Sequence, residues 1–284
     1  MKLASNIAQK ILWATVPLVT VSTIAALPSQ AATFSRSSAN AFVGNFSHDP
    51  YDTGTFTNTF TQTFATSGEV TAQADAEAFF TTESVSSSAT GFNFSTSESF
   101  GTGTNFFGAA NSFSSIIGQF QIAKGETFSF DFLSTLELET SVDDPQTETA
   151  FAASDIQFEL FDSVSGITLD SFGLFGNLTS PGTWNSLGIE SSDSISLADV
   201  SKILLSNETE SVAFAGILGT YSRTFDSSVD LTLREFKANK ASVEAVPEPS
   251  EIMGTIVALG LLLGSGRLRM KAKKNASKVL PSVE

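Results

Sequence analysis

From Glu126 the chain reads ETFSFDFLSTLELET, with Phe128, Phe130, Phe132, Leu136 and Leu138 on one parity and Thr127, Ser129, Asp131, Glu137 and Glu139 on the other. A period of two sends these sets to opposite faces of an extended chain, so the segment is predicted to be a strand with its Phe/Leu face inward. Residues 55–66, TFTNTFTQTFAT, alternate as well: Phe56, Phe60 and Phe64 share a face with Asn58 and Gln62, and threonine fills the other face. The spacing of the phenylalanines would also suit a helix, but a run of β-branched threonines favours a strand. Further alternating runs lie at 70–78, 116–122, 156–160, 167–174, 212–214 and 229–233, separated by clusters of Gly, Ser, Asn and Asp. Lys124-Gly125 predicts a tight hairpin joining the 116–122 run to the strand after it. Residues 84–99 and 101–115, rich in Ser, Thr, Gly and Phe, read as irregular strands.

One body segment has helical spacing. SLADVSKILLSN places Leu197, Val200 and Leu204 on one face, with Ser196 as N-cap and Asp199 three residues later, although a strand fits nearly as well. Many short two-faced strands with turns between them predict an all-β body, an antiparallel β-sandwich or jelly roll.

Composition narrows the chemistry. The chain has 284 residues, 26 of them Phe, with one histidine and no cysteine. The absence of cysteine removes disulfides, thiolate nucleophiles and most structural zinc sites together. Charge is divided sharply: between Ala32 and Ala245 there are 27 Asp/Glu against 7 Lys/Arg, a net of −20, and residues 267–278 carry six cations and no acid. The body therefore repels nucleic acid, and the tail is attracted to an anionic membrane.

The two ends read as processing signals. Lys2 and Lys10, an apolar stretch over 11–27, and the small residues Ser29 and Ala31 form a secretory signal peptide, with cleavage expected after Ala31 by signal peptidase. At the other end, VPEPS (Val246, Pro247, Glu248, Pro249, Ser250) precedes an apolar block at 252–263, extended without charge to 266. That is short of the roughly 20 residues of a stable span. Arg267, Arg269, Lys271, Lys273 and Lys274 follow at once as a stop-transfer cluster, which keeps the C-terminus cytoplasmic. The expected order is signal peptide 1–31, sandwich body 32–240, linker 241–251, transmembrane helix 252–266 and basic tail 267–284.

The Pro-Glu-Pro motif, the short glycine-containing apolar helix and the basic end together resemble the C-terminal sorting signal of the PEP-CTERM family of exported bacterial proteins. The resemblance covers about 29 residues, from Val246 to Lys274, and leaves the body unassigned. It implies an exosortase-like processing enzyme as partner, cutting near Pro247, Glu248 and Pro249. It also implies a cell-surface or extracellular destination and a non-enzymatic structural or adhesive role in the exopolysaccharide matrix. The tail at 275–284 departs from the family pattern by running past the basic cluster.

Within the body, His48 sits in NFSHDPYDTG beside Asp49, and sequence neighbours do not make a catalytic triad. Asp49 and Asp52, and separately Asp143 and Asp144, could supply oxygens to calcium, although aspartates are also common turn formers. Trp184 follows a Pro-Gly turn, where it would serve either as a stacking platform for sugar or as a core residue. The rivals to a structural role are therefore a carbohydrate-binding module and a hydrolase with two facing carboxylates.

Overall fold

A computed structural model of the chain describes residues 32–83, 88–182 and 184–246. The signal peptide, the Pro-Glu-Pro motif, the apolar block and the stop-transfer cluster lie outside the described residues, apart from Val246. Among the described residues the structure is all-β and antiparallel, with no helix. None of them therefore forms a helix long and apolar enough to cross a membrane.

Ten strands follow one another: β1 (Ala32–Gly44), β2 (Asp52–Glu83), β3 (Ser88–Ile122), β4 (Thr127–Ser141), β5 (Glu148–Asp162), β6 (Thr168–Ser180), β7 (Ser186–Ser191), β8 (Ile195–Ser206), β9 (Glu210–Thr224) and β10 (Val229–Ala245). They form one sheet in the order β7-β6-β5-β10-β3-β1-β4-β9-β8, with β2 paired along β3. β3 is the hinge of this sheet. Its residues 91–102 pair with β1 and its residues 106–122 pair with β10. β2 follows it along the other edge, with register shifts between Ala65 and Gly68. Gly68 and Gly103 have positive φ at the bend, and the Phe106 ring fills the space where a Gly101 side chain would stand. Glycine is needed here because the backbone adopts a left-handed conformation and two main chains approach closely.

The bend turns the sheet back on itself into a nearly closed shape. One layer is β8-β9-β4-β1 with the first half of β3, and the other is β7-β6-β5-β10 with the second half. β1 faces β10 and β5, β4 faces β5 and β6, and at the far side β7 approaches β8.

Burial follows the alternation read from the sequence. In β4, Phe128, Phe130, Phe132, Leu136 and Leu138 are buried as expected. Phe130, Phe128 and Tyr221 pack ring against ring in one part of the core, and Phe132, Phe158 and Phe172 pack in another.

Three expectations are corrected. The 196–207 segment is the edge strand β8 rather than a helix, paired with β9 from Ile195 to Ser206. Its alternation and its β-branched Val200 and Ile203 serve that ladder, and the capping pattern has no helix to start. The turn at Lys124-Gly125 exists, with Glu126 N donating to Ala123 O at 3.1 Å and φ of 85° at Gly125. It does not close a hairpin, however: β3 and β4 pair with other strands, and the turn carries the chain from one layer to the other. Lastly, residues 241–245 belong to β10, with Ala241, Val243 and Ala245 buried, so the body reaches Ala245 rather than ending at 240.

The layers are also tied by polar bonds. Tyr221 Oη donates to Asp170 Oδ2 at 3.0 Å and Arg223 Nη1 donates to the same oxygen at 2.8 Å, linking β9 to β6. Burial works to raise the Asp170 carboxyl, but hydrogen bonds from Arg223, Ser194, Tyr221 and Ser192 outweigh it and hold the group below the usual carboxylate range. Burial, then the Asp170 charge, pushes the Tyr221 phenol up. A depressed carboxyl pKa stabilises the fold above the unfolded value, and that contribution is lost as pH falls through the folded one. Asp170→Asn is expected to cost about 2 kcal/mol at neutral pH. Urea unfolding should show a smaller loss of stability below about pH 4 in the variant than in the parent.

Candidate functional site

Among the described residues, β2 has one partner strand, β3, and its first half covers nothing. Residues 55–69 are exposed throughout. The threonines at 55, 57, 59, 61 and 63 share the inward parity of β3, opposite Ile116, Ser114, Ser112, Ala110 and Gly108, and Phe56, Phe60 and Phe64 point outward. Each of these three rings is more than half exposed, Phe60 at 57%. An apolar row turned to solvent on a strand calls for a ligand or partner surface.

The row continues across the outer face of its layer. Phe56 meets Phe113 of β3 edge-on at 5.6 Å, and Phe113 stacks with Phe236 of β10 at 6.3 Å. The Arg234 guanidinium lies 5.5 Å over the Phe236 ring and 5.9 Å over Phe161, and is held by Glu159. Lys240 Nζ lies 5.4 Å over Phe151.

Between these rings runs an open groove of about 430 Å³ with Asn58, Phe60, Asn111, Phe113, Asp155 and Lys240 on its sides and Ala153 and Ala238 among its lining. The small alanines leave its depth. Asp155 is half-buried: its Oδ2 accepts from Gln157 Nε2 at 2.8 Å, and its Oδ1 is buried without a hydrogen-bond partner among the described residues. Burial raises the Asp155 carboxyl, the Gln157 bond opposes this, and the charge of Glu190 adds to it. A desolvated acceptor with no donor is a group that a ligand hydroxyl would satisfy.

Trp184 is 85% exposed. It stands between β6 and β7, with its backbone oxygen accepting from Asn177 Nδ2 at 2.7 Å, and it does not line the groove. Trp184 is therefore not a core residue, and the longer run of exposed rings is on β2, β3 and β10.

The aspartates singled out from the sequence stay apart. Asp143 Oδ2 accepts from Ala32 N at 2.8 Å at the start of β1, whereas Asp49 and Asp52 follow the far end of that strand. Asp144 closes its own turn through Gln146 N at 3.0 Å and Thr147 Oγ1 at 2.8 Å, and hydrogen bonds from those same two residues hold its carboxyl below the usual range. Asp52 Oδ1 accepts from Thr53 N at 3.0 Å. Among the described residues no group of three or more His, Asp or Glu side chains is placed to hold a metal ion.

His48 gains a partner that sequence neighbours did not suggest. Its Nε2 lies 3.1 Å from Glu126 Oε2, and its Nδ1 lies 2.9 Å from Ser47 Oγ. That hydroxyl is occupied structurally, since it accepts from Ser129 N at 2.9 Å and donates to Thr127 O at 3.2 Å. The serine, histidine and glutamate fasten the β1–β2 connection to the start of β4.

Three more functional-type side chains escaped the sequence reading. Asn93, Glu235 and Lys237 are buried between the layers, with Glu235 and Lys237 each fully buried. Comparison with protein-family models, with curated proteins and with solved structures found no match for this chain.

Proposed function

We propose that the chain is an exported, non-catalytic protein of the bacterial cell surface or exopolysaccharide matrix that holds polysaccharide along the outer face of its β2, β3 and β10 layer. The body is read as a sandwich of jelly-roll type, because β3–β4, β4–β5, β7–β8 and β9–β10 all cross between layers. The observation that carries the reading is the groove in which Phe60 and Phe113 stand beside two asparagines and the unpartnered Asp155 oxygen. Rings stack on the C–H faces of a pyranose, and carboxamide and carboxylate groups bond its hydroxyls, which is the usual division between apolar contact and polar orientation. Glycoside hydrolysis needs two facing carboxylates, and among the described residues of this lining Asp155 is the one carboxylate. The route is the one the sequence implies: signal peptidase after Ala31, temporary retention by the membrane helix at 252–266, then an exosortase-like enzyme at Pro247 to Pro249.

Affinity electrophoresis through gels containing neutral polysaccharides tests the reading. The full chain should be retarded by at least one polymer, and Phe60→Ala and Phe113→Ala should each weaken that interaction about tenfold, as expected for the loss of one buried ring face. Unchanged mobility in every polymer, or retardation that ignores both substitutions, would overturn it. Retardation that is lost only in Trp184→Ala would move the site to the β6–β7 turn.

A further inference from the structure

In β10 the residues facing the interior are Leu231, Leu233, Glu235, Lys237, Asn239, Ala241 and Val243, so an ionic and polar trio interrupts an apolar face. Across the gap, the first half of β3 presents Asn93, Ser95, Ser97 and Ser99, all buried. Glu235 bridges the two layers. Its Oε1 lies 3.1 Å from Lys237 Nζ, and its Oε2 accepts a hydrogen bond from Asn93 Nδ2. The Lys237 amine lies 2.6 Å from the backbone oxygen of Asn93, so it already rests against that residue. Asn93 Oδ1 is buried and has no hydrogen-bond partner among the described residues.

As a structural ion pair this arrangement is poor. Two charges are removed from water, and a carbonyl oxygen is desolvated without a donor. The same arrangement is well suited to amide exchange, which needs an amine, a carboxamide and a carboxyl group shared between them in a site without water. We propose that Lys237 and Asn93 become joined by an intramolecular amide bond that the folded protein makes itself, with Glu235 as the catalytic acid and base.

In the reaction, a half-turn of the Asn93 carboxamide puts Oδ1 in place of Nδ2 against the Glu235 carboxyl, which when protonated polarises that oxygen while Lys237 Nζ as free amine attacks Cγ. Glu235 then takes a proton from the attacking nitrogen and delivers it to Nδ2. The Nζ–Cγ bond forms, the Cγ–Nδ2 bond breaks, ammonia leaves, and Glu235 returns to its starting state. Nothing is oxidised or reduced. The required protonation states are favoured by the site: burial pushes the lysine down to about 8 and pushes the glutamate up. The bond would span 144 residues of sequence and fasten one layer to the other, in a chain that has no cysteine for a disulfide.

Tryptic mapping of the denatured full-length protein by mass spectrometry is decisive. Trypsin cuts after Arg36, Lys124, Arg234 and Lys240, but it cannot cut after an acylated Lys237. The expected product is a branched species joining residues 37–124 to residues 235–240, lighter than their sum by one ammonia. Linear 37–124 together with cleavage after Lys237 would overturn the proposal. A 235–240 peptide lighter by one water, with linear 37–124, would overturn the assignment to Asn93, because the amide would then be to Glu235. Glu235→Gln keeps both reacting groups and should lose the branch while retaining the far-ultraviolet signature of a β protein. A branch that persists in that variant would remove Glu235 from the chemistry. If the variant does not fold, the parent map still decides whether the bond exists.

Discussion

Gly68→Ala is expected to destabilise the body by about 3 kcal/mol or more, through strain plus overlap. Gly68 has φ of 130°. A Cβ built there would stand 1.9 Å from the Thr102 carbonyl oxygen and 2.9 Å from Gly103 Cα. Both neighbours are main chain, so neither can swing aside as a side chain would. Relief requires β2 and β3 to separate at the point where β3 passes from β1 to β10, and that point holds the two layers in register. Gly125→Ala is the control. Its φ of 85° is also positive, but nothing lies within 4 Å of the added carbon, so it should cost only the conformational term, about 1 kcal/mol. Urea unfolding followed by circular dichroism reads both. Equal losses for the two variants would show that the bend tolerates separation and that the close approach at Thr102 is unimportant.

The bend also explains why the body was only partly legible in the sequence. Alternation identifies a strand and its faces, and it did so for β4, where Phe and Leu mark the inward parity without interruption. It does not say which strand lies alongside. The expected hairpin at Lys124-Gly125 rested on adjacency in sequence, and adjacency was defeated because β3 and β4 belong to opposite layers. The stretches at 84–99 and 101–115 looked irregular for a related reason. Their inward face changes from Asn93, Ser95, Ser97 and Ser99 to Phe106, Gly108 and Ala110 on passing Gly103, so the parity of the buried positions switches in mid-strand.

The buried trio in β10 was legible in principle. Glu235, Lys237 and Asn239 share the parity of Leu231 and Leu233 before them and of Ala241 and Val243 after them. Period-two reasoning assigns all of them to one face. The general preference of charged residues for solvent argued the other way, and the local pattern was the better guide. The outward Phe56, Phe60 and Phe64 show the converse. Their alternation was read correctly, but hydrophobicity alone does not say which face of an edge strand is covered. Threonine took the inward parity because no opposing layer packs on that half of β2. For Asp155, no sequence signal distinguishes it from the other acids of the body. Its interest arises from a missing donor, which only the packing of β5 against its neighbours reveals.

Phe132→Ala is expected to cost about 3–5 kcal/mol, the range for a phenylalanine removed from a packed core. Phe132 is 2% exposed. Its ring lies 5.1 Å from Phe158 and 4.9 Å from Phe172, and both belong to the opposite layer, so the truncation opens a cavity across the junction of the two layers. On its own layer the ring lies over Gly219, its cross-strand partner. A Cβ at Gly219 would stand 2.4 Å from the nearest Phe132 ring atom. The glycine is therefore the other half of the same packing unit, and large and small residues alternate to fill one layer of the core. This gives the prediction a second part that a general loss of stability would not produce. Gly219→Ala should be destabilising in the parent, where the ring must shift, by about 1–3 kcal/mol. In a Phe132→Ala background the clash is gone and the added methyl fills part of the vacated volume, so the same substitution should be neutral or stabilising. A double-mutant cycle by urea unfolding should return a coupling of about 1–3 kcal/mol, with the double variant more stable than the sum of the singles. Additive losses would mean that the Phe132 ring is not seated on Gly219, and that the register of β4 against β9 differs from the one described.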